Sequence, residues 1–206
     1  MIVLAFDTSV TGCAVCVFNG QDYWTETLET ERGQAEMLVP LIIKTLDKSG
    51  YSFSDIDRIG VTTGPGSFTG LRVSLSTARA LALTIDKPLL GFSTLEVLAN
   101  NLPDQYLVLI DTKRGDSYGQ IFISGQPKEA ARIWTMEEVE GYEQPVIKNT
   151  VPDAKLLAQM TAAAGINGGR YDALSSPQPV YLRGAEISQS KRVPPKILID
   201  ENSEMK

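Results

Sequence analysis

The two halves of this sequence repeat one pattern of an apolar strand, an acidic turn and a second strand. The matched segments are IVLAFDT at 2–8 and YLVLIDT at 106–112, followed by strands that close at Gly20-Gln21 and Gly125-Gln126. A repeat half a chain apart constrains the fold more than any single motif. It predicts a duplicated α/β unit, with two lobes facing each other across a cleft. Chance is the alternative, because Asp-Thr and Gly-Gln are common pairs.

The elements between the repeats predict the domain organisation. The first half contains strands at 1–7, 11–18 and 22–28, a helix over 33–50, a strand at 55–63, a helix over 70–85, a strand at 88–93 and a helix from Ser93 or Thr94. The second half offers fewer elements: the two repeat segments at 106–112 and 117–126, strands at 131–135 and 144–148, and one helix over 153–165. We predict an N-terminal lobe over 1–102 and a smaller C-terminal lobe over 103–206, which ends in a Pro/Ser-rich tail.

Composition excludes several kinds of site. The chain has no histidine, which excludes a Ser-His triad and a zinc site of histidine ligands. Its net charge of −6 leaves no basic surplus for neutralising nucleic-acid phosphates, so any contact with RNA is expected to come through a partner. The N-terminal segment has neither a basic leader nor a long apolar run, and we expect a cytoplasmic protein without a membrane segment.

Cys13 and Cys16 form a C-x-x-C pair within a predicted strand. Because side chains alternate along a strand, residues three apart lie on opposite faces. We therefore expect two ordinary cysteines and not a redox or zinc pair.

A glycine-rich loop before the second long helix is the first candidate site. Free N–H groups at a helix start can bind an anion, although the loop lacks the lysine of a P-loop. A tight connection is the alternative, with glycines relieving backbone strain and Thr69 capping the helix. Asp7 could hold Mg²⁺ through water or simply form a turn. The candidate residues of this vestigial nucleotide or anion site are Asp7, Thr8, Gly64, Gly66, Ser67, Thr69 and Gly70.

The second acidic turn argues against a complete ATP site. Lys113 and Arg114 fill the place where a sugar-kinase-type phosphotransferase would carry small residues. Gly168-Gly169 follow a helix and are better explained as its C-terminal stop than as an adenosine-binding pair.

The two long helices predict a partner surface. Apolar residues of the helix over 34–48 cover an arc of about 240°, against the roughly 100° stripe that one core requires. Apolar residues of the helix over 70–85 point in nearly all directions. The predicted interface residues are Met37, Leu38, Leu41, Ile42, Leu46, Leu71 and Leu75.

The sequence resembles the bacterial TsaB (YeaZ) family. The matching segments are LAFDTS at 4–9, DRIGVTTGPGSFTGLRVSLSTARALA at 57–82, PLLGFSTLEVLA at 88–99, LIDTKRGDSYGQIF at 109–122 and PVYLRGAE at 179–186. The match is dense in the first half and sparse between 123 and 178. This resemblance implies an α/β fold of the actin/Hsp70/sugar-kinase-like (ribonuclease H-like) type with two lobes, the second reduced.

The resemblance also implies a function. Proteins of this family take part in making threonylcarbamoyladenosine beside the tRNA anticodon, as non-catalytic partners of a catalytic paralogue, TsaD, and an ATPase, TsaE. It follows that the chain needs no cofactor or metal of its own, since both belong to the partners. A homodimer is expected when the chain is alone.

One departure from the family pattern strengthens the non-catalytic interpretation. A His-Ser-Glu segment usually begins the first helix, and this chain has Gln34-Ala35-Glu36 there. The alternatives are a small-molecule kinase or ATPase with a divergent cleft and, less favoured, a peptidase of family M22.

Overall fold

The first half of the chain builds a five-stranded sheet. The structure, a computed structural model, describes residues 1–30, 33–100, 102, 104–148, 151–165 and 176–184. The strands are β1 (Val3–Asp7), β2 (Cys13–Phe18), β3 (Tyr23–Leu28), β4 (Arg58–Gly64) and β5 (Leu89–Ser93), in the order β3-β2-β1-β4-β5. Since β1 is parallel to β4 and β4 to β5, the carboxyl ends of these three strands lie at one edge.

The described residues of this half contain three α-helices, α1 (Gln34–Ser49), α2 (Phe68–Ile85) and α3 (Thr94–Ala99), and a short 3-10 helix at Phe53–Asp55. Gly50 ends α1 in the left-handed conformation that glycine adopts without strain. The cap of α2 differs from the predicted Thr69: the Ser67 side chain accepts from the Gly70 N–H, so the helix begins at Phe68. Of the two predicted caps of α3, Ser93 and Thr94, the structure has Ser93, which forms a capping box with Glu96.

The second half repeats the first sheet in shortened form. It contains β6 (Gln105–Asp111), β7 (Asp116–Ile123), β8 (Gln126–Pro127), β9 (Arg132–Thr135), α4 (Met136–Glu140), β10 (Val146–Lys148) and α5 (Ala154–Ala163). Strand β6 is antiparallel to β7 and parallel to β10, as β1 is to β2 and β4. Within the described residues this sheet has no counterpart of β5, and α4 spans five residues. The predicted two-lobe α/β fold with a reduced second lobe is confirmed.

Helix packing crosses the predicted boundary at 102/103. Leu95 and Ala99 of α3 lie in a core cluster with Val108, Ile110 and Phe122 of the second sheet. In return, α5 packs on β1, β2 and β4 of the first sheet. The boundary therefore separates the strands of the two sheets but not the helices that cover them. The part of the tail from 185 to 206 lies outside the described residues.

The first sheet is buried on both faces. Leu4, Phe6 and Cys13 belong to a core cluster with several buried residues of α1 and α2, whereas Val3 and Cys16 belong to the cluster under α5. The two cysteines thus lie on opposite faces, as predicted, and cannot bind one metal ion together. Across the described ranges, no helix combines the length and the apolar character needed to cross a bilayer.

Candidate functional site

Asp7 lies at the carboxyl end of β1 and is almost completely buried, with 1% of its surface exposed. The Ser9 N–H donates to Asp7 Oδ1 at 3.0 Å, and the Thr62 hydroxyl donates to the same oxygen. Burial raises the pKa of the Asp7 carboxyl above its ordinary value, and the hydrogen bonds from Ser9 and Thr62 act in the opposite direction. Of the two predicted roles, the structure favours the turn-forming one, because the carboxylate oxygens are enclosed by protein.

The glycine-rich loop packs directly on the turn that follows Asp7. The Ser67 N–H donates to Ser9 O at 2.6 Å, and the Thr8 hydroxyl donates to Gly70 O at 2.6 Å. A Cβ placed on Gly66 would come closer than 3.0 Å to Ser9 O, and one on Gly70 would come equally close to Thr8 O. Asp7, Thr8, Gly66, Ser67 and Gly70 are thus brought together, but the Thr8–Ser9 backbone lies directly against the loop, where a phosphate would have to bind. Gly64 has a φ of 101°, a backbone conformation that favours glycine. Thr69 is exposed beside α1 and takes no part in this packing.

The second acidic turn is open to solvent. Asp111, Lys113 and Arg114 are all exposed, and the Lys113 N–H donates to Asp111 Oδ1 at 2.7 Å. The Lys113-Arg114 pair therefore occupies the turn as the sequence placed it. Gly168-Gly169 lie outside the described residues.

The predicted interface residues are mostly core residues, and the prediction is wrong for six of the seven. The six buried side chains are Leu38, Leu41, Ile42, Leu46, Leu71 and Leu75. Together with Thr45, the buried residues of α1 form one stripe at spacings of three and four, which is what a single core requires. Only Met37, 40% exposed, is available to a partner. The wide apolar arc of α1 arises because apolar side chains also stand outside its buried stripe.

Those exposed apolar side chains form a surface between α1 and α2. Val39 and Ile43 are 44% and 45% exposed, and their spacing of four places them on the same side of α1 as Ala35. Ala35 borders a groove of about 460 Å³ whose other wall is α2, with Phe68, Thr69, Arg72, Val73, Ser76 and Thr77. We call Ala35, Val39, Ile43 and Phe68 the α1–α2 face. Phe68 is 52% exposed, and the Arg72 guanidinium lies over its ring at 3.6 Å.

A partner surface on these two helices was predicted, but Ala35, Val39, Ile43 and Phe68 were not among the predicted interface residues. Ala35, Val39 and Ile43 follow each other at intervals of four, beside the stripe of buried leucines. Assigning the largest side chains to the core first would have left this second row as the exposed one.

Comparison with known proteins gives one consistent result. The family model for TsaD, tRNA N6-adenosine threonylcarbamoyltransferase, matches residues 28–128. The chain is 31% identical over 152 residues to the tRNA threonylcarbamoyladenosine biosynthesis protein TsaB of Escherichia coli (strain K12), covering 71% of this chain and 64% of that protein. It is 29% identical over 144 residues to TsaB of Buchnera aphidicola subsp. Schizaphis graminum, covering 68% and 67%. These matches span about two thirds of the length of the curated relatives.

A solved structure supports the same assignment at the level of the fold. The crystal structure of a protein with similarity to peptidase YEAZ from Pseudomonas aeruginosa superposes with a TM-score of 0.77, at 23% identity, over 88% of this chain and 99% of that one. Sequence matches, fold and the glycine-rich loop agree with the resemblance found in the sequence, and the chain belongs to the TsaB (YeaZ) family.

Proposed function

We propose that this chain is a non-catalytic subunit in the biosynthesis of tRNA threonylcarbamoyladenosine in the cytoplasm. It pairs with a TsaD-like catalytic paralogue through the α1–α2 face, and a TsaE-like ATPase joins the complex. Contact with tRNA is made through the complex, and nucleotide and metal are held by the partners. The curated relatives bear the name of this pathway, and the model that matches residues 28–128 describes the transferase itself.

The closed carboxyl edge of the first sheet is the observation that carries the non-catalytic part of the proposal. Open α/β sheets bind ligands beyond the carboxyl ends of their strands. Here the glycine-rich loop lies on the Thr8–Ser9 backbone, and the Asp7 carboxyl is buried. An arriving phosphate would have to separate two backbone segments that hydrogen-bond each other.

The α1–α2 face supports the pairing part. Its apolar side chains are exposed on two adjacent helices, and these helices fall within the region that matches the transferase model. Two paralogues that both contain this pair of helices can pack the helices against each other about a pseudo-two-fold axis. Two copies of one chain would do the same about a true two-fold axis. Homodimerisation of the chain alone follows from the same geometry.

A reconstituted transfer assay tests the proposal. Threonylcarbamoyl transfer to tRNA is measured with the catalytic paralogue and the ATPase, with and without this chain, and with this chain alone. We expect product only when the paralogue is present, and more of it when this chain is added. Asp7→Asn is the diagnostic variant, because it keeps the shape of the side chain and the Oδ1 acceptor used by Ser9 and Thr62 while removing the charge.

The rival functions give different outcomes. ATP turnover or tight Mg-ATP binding by the chain alone, abolished in Asp7→Asn, would establish a kinase or ATPase and overturn the proposal. Peptidase activity of the histidine-ligand metalloprotease type is excluded by composition, since the chain contains no histidine. We expect the Asp7→Asn variant to stimulate threonylcarbamoyl transfer by the paralogue as fully as the wild-type chain does. Its affinity for the paralogue should also be unchanged.

A further inference from the structure

The segment 176–184 extends from the first lobe to the second without helix or strand structure of its own. It contains most of the PVYLRGAE motif, to which the proposed function assigns no role. Its contacts fall into three groups, and each group attaches the segment to a different part of the molecule.

The first group attaches the segment to α2. Arg79 donates from Nε to Ser176 Oγ at 3.1 Å and from Nη2 to Pro177 O at 2.6 Å and Gln178 Oε1 at 3.2 Å. Pro177 also lies against Gly91 of β5, where an added Cβ would come within 3.0 Å of the proline ring. The hydrogen bonds of the half-buried Arg79 guanidinium and the close packing of the Pro177 ring on Gly91 thus hold the start of the segment on the first lobe.

The second group lies at the carboxyl end of β4. The Val180 N–H donates to Thr63 O at 2.8 Å, and Val180 O lies where a Cβ on Gly64 would come within 3.0 Å of it. Next in the chain, the Tyr181 ring is 5.3 Å from the Phe68 ring, and its hydroxyl accepts from Arg72 Nε at 3.4 Å. The middle of the segment therefore covers the edge of the sheet at which α/β folds bind ligands.

The third group reaches the second lobe. Arg183 Nη2 forms a hydrogen-bonded ion pair with Asp116, the first residue of β7, and both side chains are 23% exposed. The Thr112 hydroxyl also donates to Asp116, and these hydrogen bonds, with that of Thr112 the larger influence, lower the pKa of the Asp116 carboxyl. Asp116 is therefore charged at neutral pH and can pair with the Arg183 guanidinium.

We propose that residues 176–184 are an interlobe clasp that fixes the angle between the two lobes by joining their carboxyl edges. Helix α3 packs on β6 and β7, and α5 packs on the first sheet, so the clasp adds a further connection at a separate place. Attachments at separate places restrict rotation about any one of them. Release of the Arg183–Asp116 pair is the step that allows the lobes to move apart.

Distance measurement between the lobes tests the clasp in the full chain. Spin labels are attached through Thr84→Cys on α2 and Glu137→Cys on α4, both exposed positions, while native Cys13 and Cys16 are buried. The distance distribution is recorded by double electron–electron resonance in the parent, in Arg183→Met and in Arg79→Met. The matched control is Arg132→Met, which removes an exposed ion pair to Glu138 within the second lobe.

We expect one narrow distribution in the parent and the control, and a distribution at least twice as wide in Arg183→Met and Arg79→Met. Circular dichroism verifies that each variant remains folded. An unchanged distribution in Arg183→Met would overturn the clasp, whatever Arg79→Met does, since the second lobe would then be held without it. Equal broadening in Arg132→Met would also overturn it, because the effect would then not be specific to residues 176–184.

Discussion

Gly70 and Gly66 show at the scale of single residues why a glycine-rich loop need not bind phosphate. Neither has a positive φ, so conformational freedom is not what requires glycine at these positions. Each lacks a Cβ where the backbone of the Thr8–Ser9 turn approaches closely. The glycines thus permit contact between two backbone segments. An anion-binding loop also needs glycines for close approach, so the sequence pattern alone does not distinguish the two.

Gly70→Ala tests this packing role. The added methyl group meets backbone that cannot rotate away, and overpacking of this kind costs about 1–3 kcal/mol of unfolding free energy. Urea denaturation measures the loss, with Gly165→Ala as control because nothing lies within 4 Å of a Cβ there. A variant as stable as the parent would mean that the loop stands away from Thr8 and is open to ligands.

The two buried cysteines predict a loss of stability at high pH. Burial raises the pKa of the Cys13 thiol to about 11 and that of Cys16 to about 12, from an ordinary value of 9.0. The unfolded chain therefore releases these protons first, and the stabilisation present below pH 9.0 is lost as pH rises towards the folded values. The unfolding free energy should fall less steeply above pH 9.0 in a Cys13→Ala/Cys16→Ala variant than in the parent. Equal slopes would show that the thiols ionise normally.

At the scale of elements, the docking of α5 depends on two residues of β4. Gly60 faces Thr161 so closely that an added Cβ would come within 3.0 Å of its hydroxyl. Arg58 Nη1 donates to the carbonyl oxygens of Thr161, Ala162 and Ala164 at 2.9–3.1 Å, where the helix ends. A glycine and an arginine two positions apart on one strand thus fix the position and the end of the helix.

Gly60→Ala and Arg58→Met should both loosen this helix. We expect a loss of about 1–3 kcal/mol from overpacking in the first and about 1.5–3 kcal/mol from the lost charge-assisted hydrogen bonds in the second. Hydrogen exchange of the amides from 157 to 163 locates the effect. Lys87→Met is the control, since its 4.0 Å contact with Asp57 is exposed and worth little. Unchanged exchange in both variants would place α5 elsewhere.

At the scale of the whole molecule, only the exposed residues of α1 can test association with a partner, because substitution of its buried residues disrupts the fold. Ile43→Glu places a charge on the exposed α1–α2 face, where an unpaired charge buried by a partner costs several kcal/mol. We expect a folded variant whose affinity for the partner, or for a second copy, falls at least a hundredfold in analytical ultracentrifugation. Leu38→Glu should instead unfold the chain, because Leu38 is fully buried in the first lobe. Wild-type association by a folded Ile43→Glu chain would exclude this face as the interface.

Much of the architecture could be predicted from local pattern. The strand repeat, the capping box at Ser93 and the opposite faces of Cys13 and Cys16 each depend on a few neighbouring residues, and each is found in the structure. The cap of α2 was misplaced by two residues, because Ser67 and Thr69 can both accept from a helix N–H and sequence alone does not choose between them. The interface residues were misassigned since a helical wheel shows how wide an apolar arc is, but not which part of it the sheet covers.

The sequence by itself determined the order of most strands and helices, the duplication and the family, because strand alternation, helix periodicity and a specific motif are local or repeated along the chain. The short helix α4 was not predicted. Tertiary structure alone decided that the glycine-rich loop closes on Thr8 and Ser9, that α5 covers the sheet of the other half, and that 176–184 joins the two lobes. Each of these features brings together residues far apart in sequence. Their contacts depend on distances of closest approach between backbones, which composition and spacing along one chain do not encode.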